Sequence, residues 1–139
     1  MGQNLTLDRT SRAVVSRMEH VHLAVADLDR SIAWYERAFG FVARWTDGRT
    51  AHVGTDRFYV AMTAHRDLPP SQGDATGTAR IAHFAFTTSD LDAFARRLAD
   101  AGIDAWGEAS RVEGDAIYVH DPDGNAIEIV GYSDGYVYA

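Results

Sequence analysis

Two histidines, His20 and His22, stand two residues apart in the apolar stretch "EHVHLAVADLD" (19–29). Sixty-three residues on, "AHFAFTTSDLD" (82–92) repeats the layout: His83 follows His20 at that offset, Asp90 follows Asp27, and a leucine comes after each aspartate. A third group of interest is Glu128 in "NAIEIVGY", a carboxylate among Ala126, Ile127, Ile129 and Val130. A carboxylate in so apolar a run is costly unless it is paired, hydrogen-bonded or bound to metal. Two imidazoles and one carboxylate leave coordination positions of a divalent transition ion open to substrate or water, which suits catalysis. Taken singly, each residue has a plainer explanation. A lone strand histidine ordinarily packs or faces solvent, and a lone glutamate sits at an edge or pairs with arginine. The matched placement of the two histidines is what points to metal.

Elements must bring these residues together. Residues 18–26 alternate as a strand does, so His20, His22 and Ala24 share one face and Val21, Leu23 and Val25 the other. Asp27 is an N-cap for a helix with Leu28, Ile32, Tyr35 and Phe39 on its apolar side, and Gly40 stops it. That helix covers the valine face and leaves the histidine face free. Strands follow at about 41–46, 49–54 and 57–63, parted by the turn-like pairs "DG" and "TD". The proline- and glycine-bearing "LPPSQGDATGT" (68–78) reads as a linker. The second half repeats the plan. A strand at 79–87 puts His83, Ala85 and Thr87 on one face, and Ser89 or Asp90 caps a helix with Leu91, Phe94, Ala95 and Leu98 inward, ended by Gly102. Strands near 104–108, 114–120 and 125–131 complete it, the last two joined by the turn "DPDG". The fold class expected is α+β: two βαβββ modules forming a curved mixed sheet, with helices outside and a metal site inside. The divisions are a polar extension (1–16), a first module (17–66), a linker (67–78), a second module (79–132) and a tail (133–139).

Composition narrows the function. The chain has 139 residues, 46% of them hydrophobic and 24% charged, as in a globular domain. It has no cysteine, so thiolate ligands, thiolate nucleophiles and disulfides are excluded. A formal charge of −7 repels phosphate backbones, so nucleic acid is not expected as a partner. No apolar run approaches the roughly 18 residues that span a bilayer, and the first sixteen residues lack the apolar core of a secretory signal. No membrane partner and a cytoplasmic location are therefore expected.

The stretches "HVHLAVADLDRSIAWYERAFGF", "HFAFTTSDLDAFARRLADAGI" and "EGDAIYVHDPDGNAIEIVG" resemble the vicinal oxygen chelate superfamily, over about residues 17–132. That superfamily includes glyoxalase I, fosfomycin-resistance thiol transferases, extradiol dioxygenases and bleomycin-resistance proteins. The resemblance implies that His20, His83 and Glu128 bind one divalent transition metal per site: Mn, Fe, Co, Ni or Zn. It also implies a small-molecule substrate and a homodimer with shared metal sites. The last segment is similar to that of the thiol transferases, but with departures. His22 stands where those enzymes have threonine, and Glu108, Val112 and Ala116 stand where they carry a lysine and serines. Their C-terminal arginine has no counterpart in "GYSDGYVYA". Fosfomycin is accordingly a poor substrate expectation.

The function expected is metal-dependent Lewis-acid chemistry with a general acid or base, a glyoxalase-like lyase or isomerase. The alternatives are an extradiol-type dioxygenase, a fosfomycin-resistance-like thiol transferase and a non-catalytic drug-binding protein. His22 is the candidate proton carrier, against a purely hydrogen-bonded role. Tyr118 is the candidate donor to a substrate oxygen. His120 reads as flanking a turn, His52 and His65 as surface, and Trp34, Trp45, Phe39 and Phe41 as core. Asp27 and Asp90 read as caps, and Glu113 and Asp115 as loop charges.

Overall fold

Alternating apolar residues and two capped amphipathic helices build each half of the molecule. The computed structural model describes residues 14–15, 17–69, 81–111 and 114–132. Module one contains β1 (His20–Val25), α1 (Leu28–Phe39), β2 (Val42–Thr46), β3 (Thr50–Gly54) and β4 (Tyr59–Ala64). Module two contains β5 (Phe84–Thr87), α2 (Leu91–Asp100), β6 (Ala105–Arg111), β7 (Gly114–His120) and β8 (Ala126–Tyr132). Each module folds into a four-stranded mixed sheet, ordered β1-β4-β3-β2 and β5-β8-β7-β6, with the first strand parallel to the last. This is the βαβββ plan expected. Most of the extension, the linker beyond Pro69 and the tail lie outside the described residues, as do Val112 and Glu113.

The helix ends follow from side-chain chemistry. Asp27 accepts from the Arg30 N–H at 3.0 Å, and Asp90 accepts from the Ala93 N–H at 2.9 Å. Each satisfies an amide that the helix itself leaves bare. Gly40 closes α1 at φ 69°, a left-handed conformation that favours glycine. Arg97 of α2 then donates to the carbonyls of Arg37 (3.0 Å) and Glu36 (3.2 Å), placing a cation on the end of α1.

The helix-bearing sides of both sheets merge into one core. Val25, Tyr35, Val53, Val60 and Met62 from module one join Leu98, Val119, Ile127 and Ile129 from module two. Phe39 meets Phe86 and Phe94 at ring separations of 5.2 and 5.7 Å, which ties the modules together through aromatic contacts. Two expectations fail here. Ala95 is exposed, not inward. The strand expected at 79–87 is only β5, so His83 precedes it. By register His83 would lie opposite Ala126, the first residue of β8, and the ladder begins one residue further in, at Phe84 and Ile127.

That turn also locks one module to the other. The Asp121 carboxylate is buried and accepts from the Tyr35 hydroxyl (2.9 Å), the Asn125 side chain (2.8 Å) and the backbone N–H groups of Asp123 and Asn125. Burial lifts its pKa above the ordinary value, while the Asn125 and Tyr35 donors pull it back. Asp123 accepts from the Ala26 N–H (3.0 Å), from Arg30 (3.3 Å) and from Ser31 (3.5 Å), all at the start of α1.

Removing the Asp123 carboxylate with Asp123→Ala should cost about 1–3 kcal/mol in urea unfolding, because the Ala26 amide loses its acceptor. Tyr35 supplies a pH test. Burial, reinforced by the neighbouring Asp121 charge, raises its pKa well above the ordinary 10.0. Folding therefore holds this proton more tightly than the open chain does. The associated stability is complete below pH about 10 and is lost as pH rises beyond it. Thermal unfolding should show Tm falling above that pH, and Tyr35→Phe should flatten the fall.

Candidate functional site

The faces turned away from the core carry the reactive side chains. On the first sheet, register and alternation place His20, His22 and Ala24 beside Tyr59, Ala61 and Thr63, with Thr50, His52 and Gly54 beyond. The His22 ring nitrogen Nε2 lies 2.8 Å from the Thr63 hydroxyl, which lies 2.9 Å from that of Thr50. His20 is 38% exposed at its side chain, stacks on Tyr59 at 4.7 Å and has Nδ1 3.6 Å from a Glu19 carboxylate oxygen. That last separation is an electrostatic contact, too long for a hydrogen bond.

On the second sheet, Glu128 is the third residue of β8 and is only 5% exposed. Its cross-strand neighbours are Ala85 on β5 and Tyr118 on β7. His83 reaches it: Nε2 to Oε2 is 2.9 Å. The other His83 nitrogen, Nδ1, is buried with no hydrogen-bond partner. An imidazole left half satisfied costs about 1–3 kcal/mol, unless a ligand or a second chain supplies what is missing. Tyr118 meets the His83 ring edge-on at 5.5 Å.

Three of the five expected site residues thus converge: His83, Glu128 and Tyr118. His20 and His22 do not join them. Among the described residues, no three His, Asp or Glu side chains are close enough together to hold an ion. The two halves instead face each other across a seam, since β1 and β5 are both edge strands. A crevice of about 240 Å³ there is lined by His20, Tyr59, Ala85 and Thr87 among others. A smaller one of about 130 Å³ is lined by residues that include His22 and His83.

Residues read from sequence as core or surface also belong to these faces. Trp45 is 48% exposed and stacks on His52 at 4.9 Å, while Trp34 and Phe41 are in the core as expected. The cause is a register break between Ala43 and Trp45, which re-aims the side chain. His52 is not a free surface residue, because its other neighbour is Tyr59 at 4.4 Å. His120 does more than flank a turn: Trp106 stacks on it at 4.1 Å. His65 is exposed, as expected, and Asp115 lies in β7 and not in a loop. What the sequence reading missed at Trp45 was the bulge at Arg44, since strict alternation puts Trp45 on the core side.

The two donors suit a metal. Ligand bonds of about 2.0–2.2 Å to one ion place neighbouring N and O donors roughly 3 Å apart. His83 and Glu128 are already 2.9 Å apart.

Comparison with known proteins places the chain in a family. The sequence matches the family model described as "Glyoxalase/Bleomycin resistance protein/Dioxygenase superfamily" over residues 17–129. It is 30% identical over 123 residues to the glutathione transferase FosA of Serratia marcescens, covering 84% of this chain and 81% of the relative. It is 30% identical over 118 residues to the metallothiol transferase FosB of Lysinibacillus sphaericus, covering 82% and 81%. Among solved structures, a glyoxylase/bleomycin resistance protein/dioxygenase domain from Frankia sp. superposes with a TM-score of 0.68 at 27% identity, covering 88% of this chain and 96% of that one.

Gly107 tests whether the second face depends on its bulge. It lies at a second register break, between Trp106 and Ala109, with φ 68°, and an added Cβ would sit 3.2 Å from the Tyr118 ring. Gly107→Ala should therefore cost about 1–2 kcal/mol. Displacement of Tyr118 should also change the fluorescence of Trp106, whose ring stacks on it at 5.8 Å.

Proposed function

The chain belongs to the Glyoxalase/Bleomycin resistance protein/Dioxygenase superfamily, and on that premise we propose that it is a metal-dependent enzyme acting on a small, oxygen-bearing substrate. The carrying observation is the pair of donors His83 and Glu128, 2.9 Å apart, with the carboxylate buried in an apolar strand. His20 of a second chain is the third ligand in this reading. The lack of three converging donors within the described residues of one chain supports it. So does the openness of the face that carries His20. One divalent transition metal per site, Mn, Fe, Co, Ni or Zn, fits this N,N,O set.

The names of the relatives favour thiol transfer over the lyase or isomerase chemistry expected from the residues. In such a transfer the thiol sulfur forms a bond to an electrophilic carbon of the substrate as that carbon's bond to oxygen breaks. The proton given up by the thiol ends on that oxygen. The ion, when bound, polarises the oxygen and stabilises its developing negative charge. Tyr118 is placed beside His83 to donate to the substrate. His22, held by Thr63, is the proposed proton carrier.

Mixing variants tests the site. Neither His20→Ala nor Glu128→Ala alone should retain an ion or turn over. A one-to-one mixture should recover about a quarter of the wild-type sites, since half of random dimers are mixed and each holds one intact site. No recovery at any ratio contradicts a shared site. The reaction is tested by thiol consumption with a panel of small electrophiles. A protein that stays metal-free when offered each of the five ions contradicts the enzyme reading. His22→Gln should keep the ion and slow turnover by roughly 10²–10⁴; an unchanged rate removes His22 from the mechanism.

A further inference from the structure

The inner face of the first sheet carries a continuous row of rings. His20 stacks on Tyr59 at 4.7 Å with planes 11° apart, Tyr59 on His52 at 4.4 Å and 26°, and His52 on Trp45 at 4.9 Å and 44°. The row starts at a proposed metal ligand and ends at a half-exposed tryptophan. Module two repeats the theme with different residues: Tyr118 meets His83, and Trp106 stacks on both Tyr118 and His120. In each module a bulge in the outer strand accompanies the tryptophan. Cross-strand ring pairs can serve sheet stability alone. These rings, however, lie opposite the core, on the faces that hold the candidate ligands.

The charges on those faces are equally selective. Among the inner positions set by register on β1, β3, β4, β5, β7 and β8, Glu128 is the only formally charged residue, counting histidine as neutral, while β6 brings Arg111 opposite Gly114 at the far end of the second face. Glu19 adds a second negative charge at the His20 end.

We propose that the two ring rows are recognition walls for a flat, conjugated substrate portion, with Trp45, Tyr59 and Trp106 as specificity-determining residues. The inference rests on the preceding reading that substrate sits on these faces, and it names the substrate class. Stacked rings hold one another still, so the walls lose little entropy on binding. Aromatic rings suit a flat conjugated ligand through edge-to-face or offset-stacked contact, and Trp45, 48% exposed, is open to such contact at the end of the row. A puckered ligand of equal size gains only nonspecific contact.

Two ligands with one carbon skeleton separate these cases: 2-naphthol, which is flat, and decahydro-2-naphthol, which is saturated and puckered. Binding is followed by tryptophan fluorescence and calorimetry on the full-length, metal-free protein. The expected result is roughly tenfold tighter binding of 2-naphthol, although the saturated analogue is the more hydrophobic. Trp45→Leu and Tyr59→Leu should each weaken 2-naphthol about three- to tenfold and leave decahydro-2-naphthol unchanged. Equal affinities in the wild-type protein overturn the proposal, and that comparison needs no variant to fold. Unchanged 2-naphthol affinity in both folded variants also overturns it. Ion binding is measured on the same samples. Ions bound without flat-ligand preference sink the walls alone; flat-ligand preference without ion binding sinks the metal reading alone.

Discussion

A carboxylate with 5% of its surface exposed, set in a strand of alanine, isoleucine and valine, constrains everything around it. Glu128 cannot keep its charge there without partners, because desolvating an ion costs several kcal/mol. The fold answers by placing His83 2.9 Å away, just outside β5, where the neighbouring ladder has stopped. The Asp121 turn, with Asn125 bound back to Asp121, leads into the strand that carries Glu128. The same turn, through Asp123, ties module two to the start of α1. One short acidic loop therefore leads into the Glu128 strand and anchors one module on the other.

That packing consumes the helix-bearing sides of both sheets. Phe39 against Phe86 and Phe94, and Arg97 on the end of α1, fix the modules side to side within one chain. What remains open are the opposite faces, with His20 and His22 on one and Glu128 and Tyr118 on the other. An open face carrying Trp45 at 48% exposure and an orphaned His83 nitrogen suits completion from outside the chain. The proposed shared site follows from this division: the core is spent within the chain, and the chemistry is left for the meeting of two.

Much of the fold was legible because its signals are local. Asp27 and Gly40 bound α1, Asp90 and Gly102 bound α2, and strict alternation in "HVHLAV" separated the histidine face from the valine face. The pairing of His83 with Glu128 was legible from the repeat and the apolar run. What escaped were consequences of irregularity. A bulge moves Trp45 against the alternation, and no residue type announces that bulge at Arg44. β5 begins at Phe84, later than alternation alone implies. Module pairing was illegible for a further reason: a 63-residue repeat states that two halves are alike, not which sides of them touch.

The central claim is that ion binding and chain pairing are one event. Anything that binds only the paired state must strengthen pairing by mass action. The direct measurement is sedimentation of the metal-free chain over a range of concentrations, with and without a saturating divalent transition ion. The account predicts that the ion lowers the dimer dissociation constant and binds at one per chain, with His20→Ala abolishing both effects. A monomer that binds the ion with undiminished affinity, or a dimer whose strength the ion leaves unchanged, would contradict it.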